Sequence, residues 1–66
     1  MNNMAQEKFD YSKAVAELDR IAAKVEDSST SLDDIGALVK RSKELIEECR
    51  KYLRSVRESI EGESAQ

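Results

Sequence analysis

The chain has 66 residues, 38% of them charged and 5% aromatic, with a formal net charge of −3. That length holds one domain at most, and so thin a core usually needs a disulfide, a metal or a partner. One cysteine and no histidine remove the internal disulfide and the commonest zinc and catalytic ligand, while the acidic balance argues against a freestanding nucleic-acid binder.

Residues 1–9 read as a mobile leader, although Met4 and Phe9 are placed to extend the first helix. Met1 to Lys8 is polar and lacks a signal-peptide core. No stretch approaches the ~20 apolar residues that span a membrane. A cytoplasmic location is the default expectation, and the unpaired thiol of Cys49 is compatible with it.

The first periodic segment predicts a helix over 10–27. Tyr11, Ala14, Val15, Leu18, Ile21, Ala22 and Val25 recur at helical spacing, with Lys13, Glu17, Arg20 and Lys24 on the other side. Asp10 is the N-cap candidate, its carboxylate able to accept from orphan backbone N–H groups. The loop then occupies 28–31, because the Asp27-Ser28-Ser29-Thr30-Ser31 run competes for backbone hydrogen bonds and favours turns. Ser31 and Asp34 resemble a capping box with Asp in place of Glu, and Asp33 and Asp34 oppose the helix dipole.

A second helix follows over 32–61, with no proline in the chain and Gly36 as its interior glycine. Gly62 is expected to stop it, leaving 63–66 as a tail. Three series spaced by seven run along this helix. One is Leu32, Val39, Ile46, Leu53 and Ile60; a second is Leu38, Leu45 and Tyr52; a third is Ile35, Ser42, Cys49 and Val56. Their combined stripe is broader than a two-stranded seam requires, so this helix must touch more than one neighbour. The fold class that follows is all-α: an antiparallel two-helix hairpin with coiled-coil-like, spectrin-repeat-like packing, oligomerising into a helical bundle.

The arms are unequal, roughly 25 Å against roughly 45 Å at 1.5 Å per residue. Folding at the serine loop places Val25 near Ile35 and Tyr11 near Cys49. Beyond Cys49 the first helix has run out while apolar residues continue, and an exposed patch of that kind marks an interaction site. The expected interface residues are Leu38, Val39, Leu45, Ile46, Cys49, Tyr52, Leu53, Val56 and Ile60.

Chemistry is sparse. Glu44 and Glu48 share a helix face and could grip a cation, but a salt-bridged surface with Glu47–Lys51 and Arg54–Glu58 pairs explains the pattern better. Cys49 sits on the stripe with no base to activate it. Tyr11 and Tyr52 fall at seam positions, which favours packing over stacking on bases. Ser42 is either a polar register device or a small residue permitting close approach. Lys40, Lys43, Arg50, Arg54 and Arg57 read as a basic face opposite the stripe, able to meet phosphates or simply solvated. No cofactor, metal site or catalytic residue is expected.

The run Tyr11-Ser12-Lys13-Ala14-Val15-Ala16-Glu17-Leu18-Asp19-Arg20-Ile21 resembles the opening of the bacterial exonuclease VII small subunit family. Ser31-Leu32-Asp33-Asp34 is similar to the family's Ser-Leu-Glu-Glu, and Leu45, Cys49 and Leu53 to its Leu…Cys…Leu run. The chain departs from that pattern at Ser28-Ser29 and Ser42, where glycine is usual, and at Ile35-Gly36. The resemblance implies a noncatalytic small subunit of exodeoxyribonuclease VII, a hydrolase that degrades single-stranded DNA to oligonucleotides. Its partners would be the large catalytic subunit and other copies of itself, with DNA met only through the complex. The alternative is a generic coiled-coil adaptor or oligomerisation module for an unrelated partner. A third class, a direct single-stranded DNA binder, predicts salt-dependent binding by the isolated chain.

Overall fold

The computed structural model describes residues 9–64, so residues 1–8 of the expected leader over 1–9 and the last two residues of the expected tail lie outside the described residues. Two helices pack against each other: α1, Tyr11–Glu26, and α2, Leu32–Ser64. Among the described residues there is no strand, and the fold is all-α.

Local chemistry sets each boundary. Asp10 has extended backbone (φ −103°, ψ 99°), and its carboxylate accepts from the Lys13 N–H at 3.0 Å. That occupies one of the four donors every helix start leaves unpaired. At the other end of α1 the Asp27 N–H donates to the Lys24 carbonyl at 3.2 Å. The Thr30 hydroxyl donates to the same carbonyl at 2.7 Å. The Asp27 carboxylate accepts from both the backbone N–H and the hydroxyl of Ser29, at 2.9 and 2.8 Å. Those two bonds hold the Asp27 carboxyl below its ordinary range. Ser31 then caps α2, its hydroxyl accepting from the Asp34 N–H at 3.1 Å. No described residue takes a positive φ. The loop therefore closes through backbone and side-chain bonds alike and needs no glycine at Ser28-Ser29.

The core is small. Ala14 and Ile21 of α1 meet Leu45 and Cys49 of α2, and these four are buried. Phe9, Leu18 and Leu38 pack against them and are half-buried. Burying a large aliphatic side chain stabilises by roughly 1.5–3 kcal/mol. With Ile21 and Leu45 alone at that size among the buried described residues, the hairpin core is slight for its length.

Three expectations change. Phe9 does not belong to the leader: its ring lies 5.7 Å from that of Tyr52, tilted by 52°. Gly62 does not stop α2, which continues to Ser64 with no left-handed glycine. A glycine in a helix costs about 1 kcal/mol relative to alanine, too little to break a helix that nothing else redirects. The Glu47–Lys51 and Arg54–Glu58 pairs are replaced, among the described residues, by Glu48–Lys51 at 3.7 Å and Arg57–Glu61 at 3.8 Å. Several partners are within reach on such a surface, and exposed pairs are too weak for spacing alone to select one.

Candidate protein interface

Helical periodicity divides α2 into two seams. The first turns toward α1 and contains Leu38, Leu45, Cys49 and Tyr52. Leu45 and Cys49 are 5% and 8% exposed. Tyr52 stacks on Tyr11 with ring centroids 5.5 Å apart and planes 22° apart, and the tilted Phe9 ring is also within contact of it. Of the expected interface residues, these four are therefore engaged within the hairpin itself. The reason lies in the register: Tyr11 reaches as far as Tyr52, and Phe9 adds a third ring.

The second seam holds Val39, Ile46 and Leu53, which are 43%, 47% and 48% exposed. Leu32 and Ile60 continue the same series at the two ends and are more exposed still. Val56 continues the first seam past the level of α1, seven residues beyond Cys49, and is exposed. Tyr11, Val15 and Val25 of α1 are also exposed large apolar residues. Past Tyr52, α2 continues for roughly 18 Å at 1.5 Å per residue with no described helix alongside it.

Ser42 sits half-buried among these residues, and its hydroxyl donates to the Val39 carbonyl at 2.8 Å. The hydroxyl is thus paired within its own helix and asks nothing of a neighbour, which leaves Ser42 as a small residue in the seam. Ser55 does the same with the Tyr52 carbonyl, also at 2.8 Å.

The opposite flank of the hairpin is polar. Arg41 donates through both Nε and Nη2 to the Glu17 carboxylate, at 2.8 and 3.1 Å. It also reaches Glu44 at 3.3 Å. The Arg41 bond holds the Glu17 carboxyl below its ordinary range, and the Glu17 and Glu44 bonds raise Arg41 further. Sequence reading missed this link, because the two residues are 24 positions apart and only the hairpin register makes them level. With Glu44 on Arg41 and Glu48 on Lys51, the two carboxylates of the possible cation pair each have a cationic partner.

The basic residues are exposed, but they do not all stand opposite the apolar stripe. Arg50, Arg54 and Arg57 gather around Leu53 at a shallow depression. Lys40 and Lys43 lie farther toward the loop. Among the described residues no helix is long and apolar enough to cross a membrane, and no cluster of acidic, cysteine or histidine side chains is arranged to hold a metal.

The family model described as "Exonuclease VII small subunit" matches residues 11–62, which takes in α1, the loop and nearly all of α2. No curated protein and no solved structure matches the chain.

Proposed function

The chain belongs to the exonuclease VII small subunit family, and from that membership we propose that it is a noncatalytic subunit that docks on helices of the exonuclease VII large subunit. The single observation that supports this is the far end of α2, where Leu53 and Val56 stay exposed beyond the level at which α1 begins. Each large aliphatic group that a partner removes from water adds roughly 1.5–3 kcal/mol to the association. The Arg50, Arg54 and Arg57 rim around Leu53 is suited to a helix with acidic residues flanking its own apolar stripe.

In this reading the nuclease chemistry that degrades single-stranded DNA resides in the large subunit. The small subunit's Cys49 is buried and has no histidine beside it, so it serves as packing. A free thiol of that kind suits the reducing cytoplasm. DNA is met only through the complex: with a net charge of −3, the isolated chain binds single-stranded DNA weakly.

Co-purification tests the assignment. The tagged chain is expected to retain the large subunit, and Leu53→Asp to lose it while circular dichroism still reports a helical hairpin. Retention of an unrelated helical protein in its place would make the chain a generic adaptor. A Leu53→Asp variant that holds the large subunit at wild-type yield would move the docking surface elsewhere.

A further inference from the structure

The apolar flank of the hairpin has borders of opposite charge on its two helices. On α1 the core-facing positions are Ala14 and Ile21, and on α2 they are Leu38 and Leu45. Glu17 is three residues past Ala14, and Arg41 three past Leu38; the two meet across the hairpin. Positions that share an offset from the core residues therefore fall on the same flank of both helices. One residue past each core position, about 100° round the other way, come Val15 and Ala22 on α1 and Val39 and Ile46 on α2. All four are exposed, and they lie together on the flank away from the Glu17–Arg41 bridge.

Five residues past the core positions comes the outer border of that flank. On α1 it is acidic, with Asp19 and Glu26. On α2 it is basic, with Lys43 and Arg50. Among the described residues none of these four takes part in an ion pair.

Both helices also carry a second 3–4 apolar spacing along this flank. On α1 it is Tyr11, Val15, Leu18, Ala22 and Val25. On α2 it is Ile35, Val39, Ile46 and Leu53, with the small Ser42 and the core-facing Cys49 completing the spacing along its edge. That is the pattern of a helix that packs against two neighbours in a four-helix bundle.

We infer that this flank closes on a second copy of the chain about a two-fold axis parallel to the helices. That operation sets α1 of one hairpin over α2 of the other, antiparallel, with the acidic border of each against the basic border of its mate. It preserves level along the axis. The register that brings Glu17 to Arg41 and Tyr11 to Tyr52 makes Asp19 level with Lys43. Asp19 of each copy thus faces Lys43 of the other, twice per dimer. Arg50 is level with Ser12 and Glu26 with Gly36, so no like charges meet. A two-fold axis crossing the helices would instead set Asp19 and Glu26 against their own copies, and Lys43 and Arg50 against theirs. Apolar burial drives the association, and the charges choose its orientation. The far ends of both α2 helices then project in the same direction from the same end of the bundle.

Sedimentation equilibrium of the full chain without any partner tests this independently of the large-subunit assignment. A monomer–dimer equilibrium is expected. Asp19→Lys and Lys43→Glu are each expected to weaken it about tenfold, and the double swap to restore it to within about threefold of wild type. These positions are exposed, so helix content serves as the control for folding. Ile46→Asp is expected to give a helical monomer. A folded wild-type chain that stays monomeric, a smallest oligomer larger than two, or a double swap no better than its weaker parent would each overturn the proposal. None of those results bears on co-purification with the large subunit.

Discussion

Leu45 and Ile46 are neighbours in sequence and opposites in surroundings. Leu45 is enclosed by α1 beside Cys49, Ala14 and Ile21. Ile46, about 100° farther round the helix, leaves nearly half its surface in water. The two seams of α2 carry similar residue types, yet one builds the hairpin and the other is left in water. What separates them is α1. It offers one stripe of close-fitting small and medium residues and one bidentate ion pair, and together these fix the rotation of each helix.

The widest gap between the seams should appear in stability at dilutions where chains do not associate. Leu45→Ala empties the core and is expected to cost about 2–5 kcal/mol. In a hairpin this slight that abolishes the cooperative urea transition followed by circular dichroism. Ile46→Ala, under the same conditions, is expected to shift the midpoint by a small fraction of that. Equal losses from the two variants would mean that the seams share one packing environment.

This division was only half legible in the sequence. Helix boundaries followed from Asp10, the Asp27–Ser31 run and Ser31, because caps are local chemistry that a short window contains. The width of the α2 stripe is greater than α1 covers, and Val39, Ile46 and Leu53 stay exposed. Which residues face which neighbour depends on helix rotation, and that is set by contacts such as Glu17–Arg41 between positions far apart in the chain. For that reason one set of expected interface residues holds Leu38, Leu45, Cys49 and Tyr52 together with Val39, Ile46 and Leu53. Phe9 was read as leader because a single aromatic before the N-cap carries no periodicity; its role appears only once Tyr52 is placed beside it.

The aromatic cluster marks where the hairpin ends and the single helix begins, and it gives the next largest effect. Tyr52→Leu keeps an apolar side chain but removes the contacts with Tyr11 and Phe9. Such ring pairs contribute about 0.5–1.5 kcal/mol beyond their burial. The expected result is a loss of that order in chemical denaturation, with faster amide exchange at the start of α1. An unchanged exchange pattern would show that the three rings do not close that end.

A gain is expected at Gly36, where an added Cβ meets nothing within 4 Å and no positive φ is needed. Gly36→Ala should stabilise α2 by up to about 1 kcal/mol, read as a raised thermal midpoint. By helical spacing a methyl at position 36 falls on neither seam, so dimerisation should be unaffected once stability is matched. A weaker dimer would place Gly36 inside the contact.

The smallest effect concerns the polar flank, and its sign with pH is fixed. Glu17 is held below its ordinary carboxylate range first by the hydrogen bond from Arg41. A carboxylate with a depressed folded-state pKa contributes stability that is present above its unfolded value and lost as pH falls through the folded one. Arg41→Gln removes that contribution but leaves the one from Asp27, whose carboxyl is lowered by Ser29. Wild type should therefore be slightly more stable than Arg41→Gln at neutral pH. The difference should close as acid protonates Glu17 below the ordinary carboxylate range, while both proteins still lose the Asp27 share. Both groups are exposed, so salt should shrink the neutral-pH difference as well. A difference that persisted unchanged in acid and in high salt would mean that Arg41 acts through the packing of its aliphatic stem along α1. The apolar flank would then owe its orientation to shape alone.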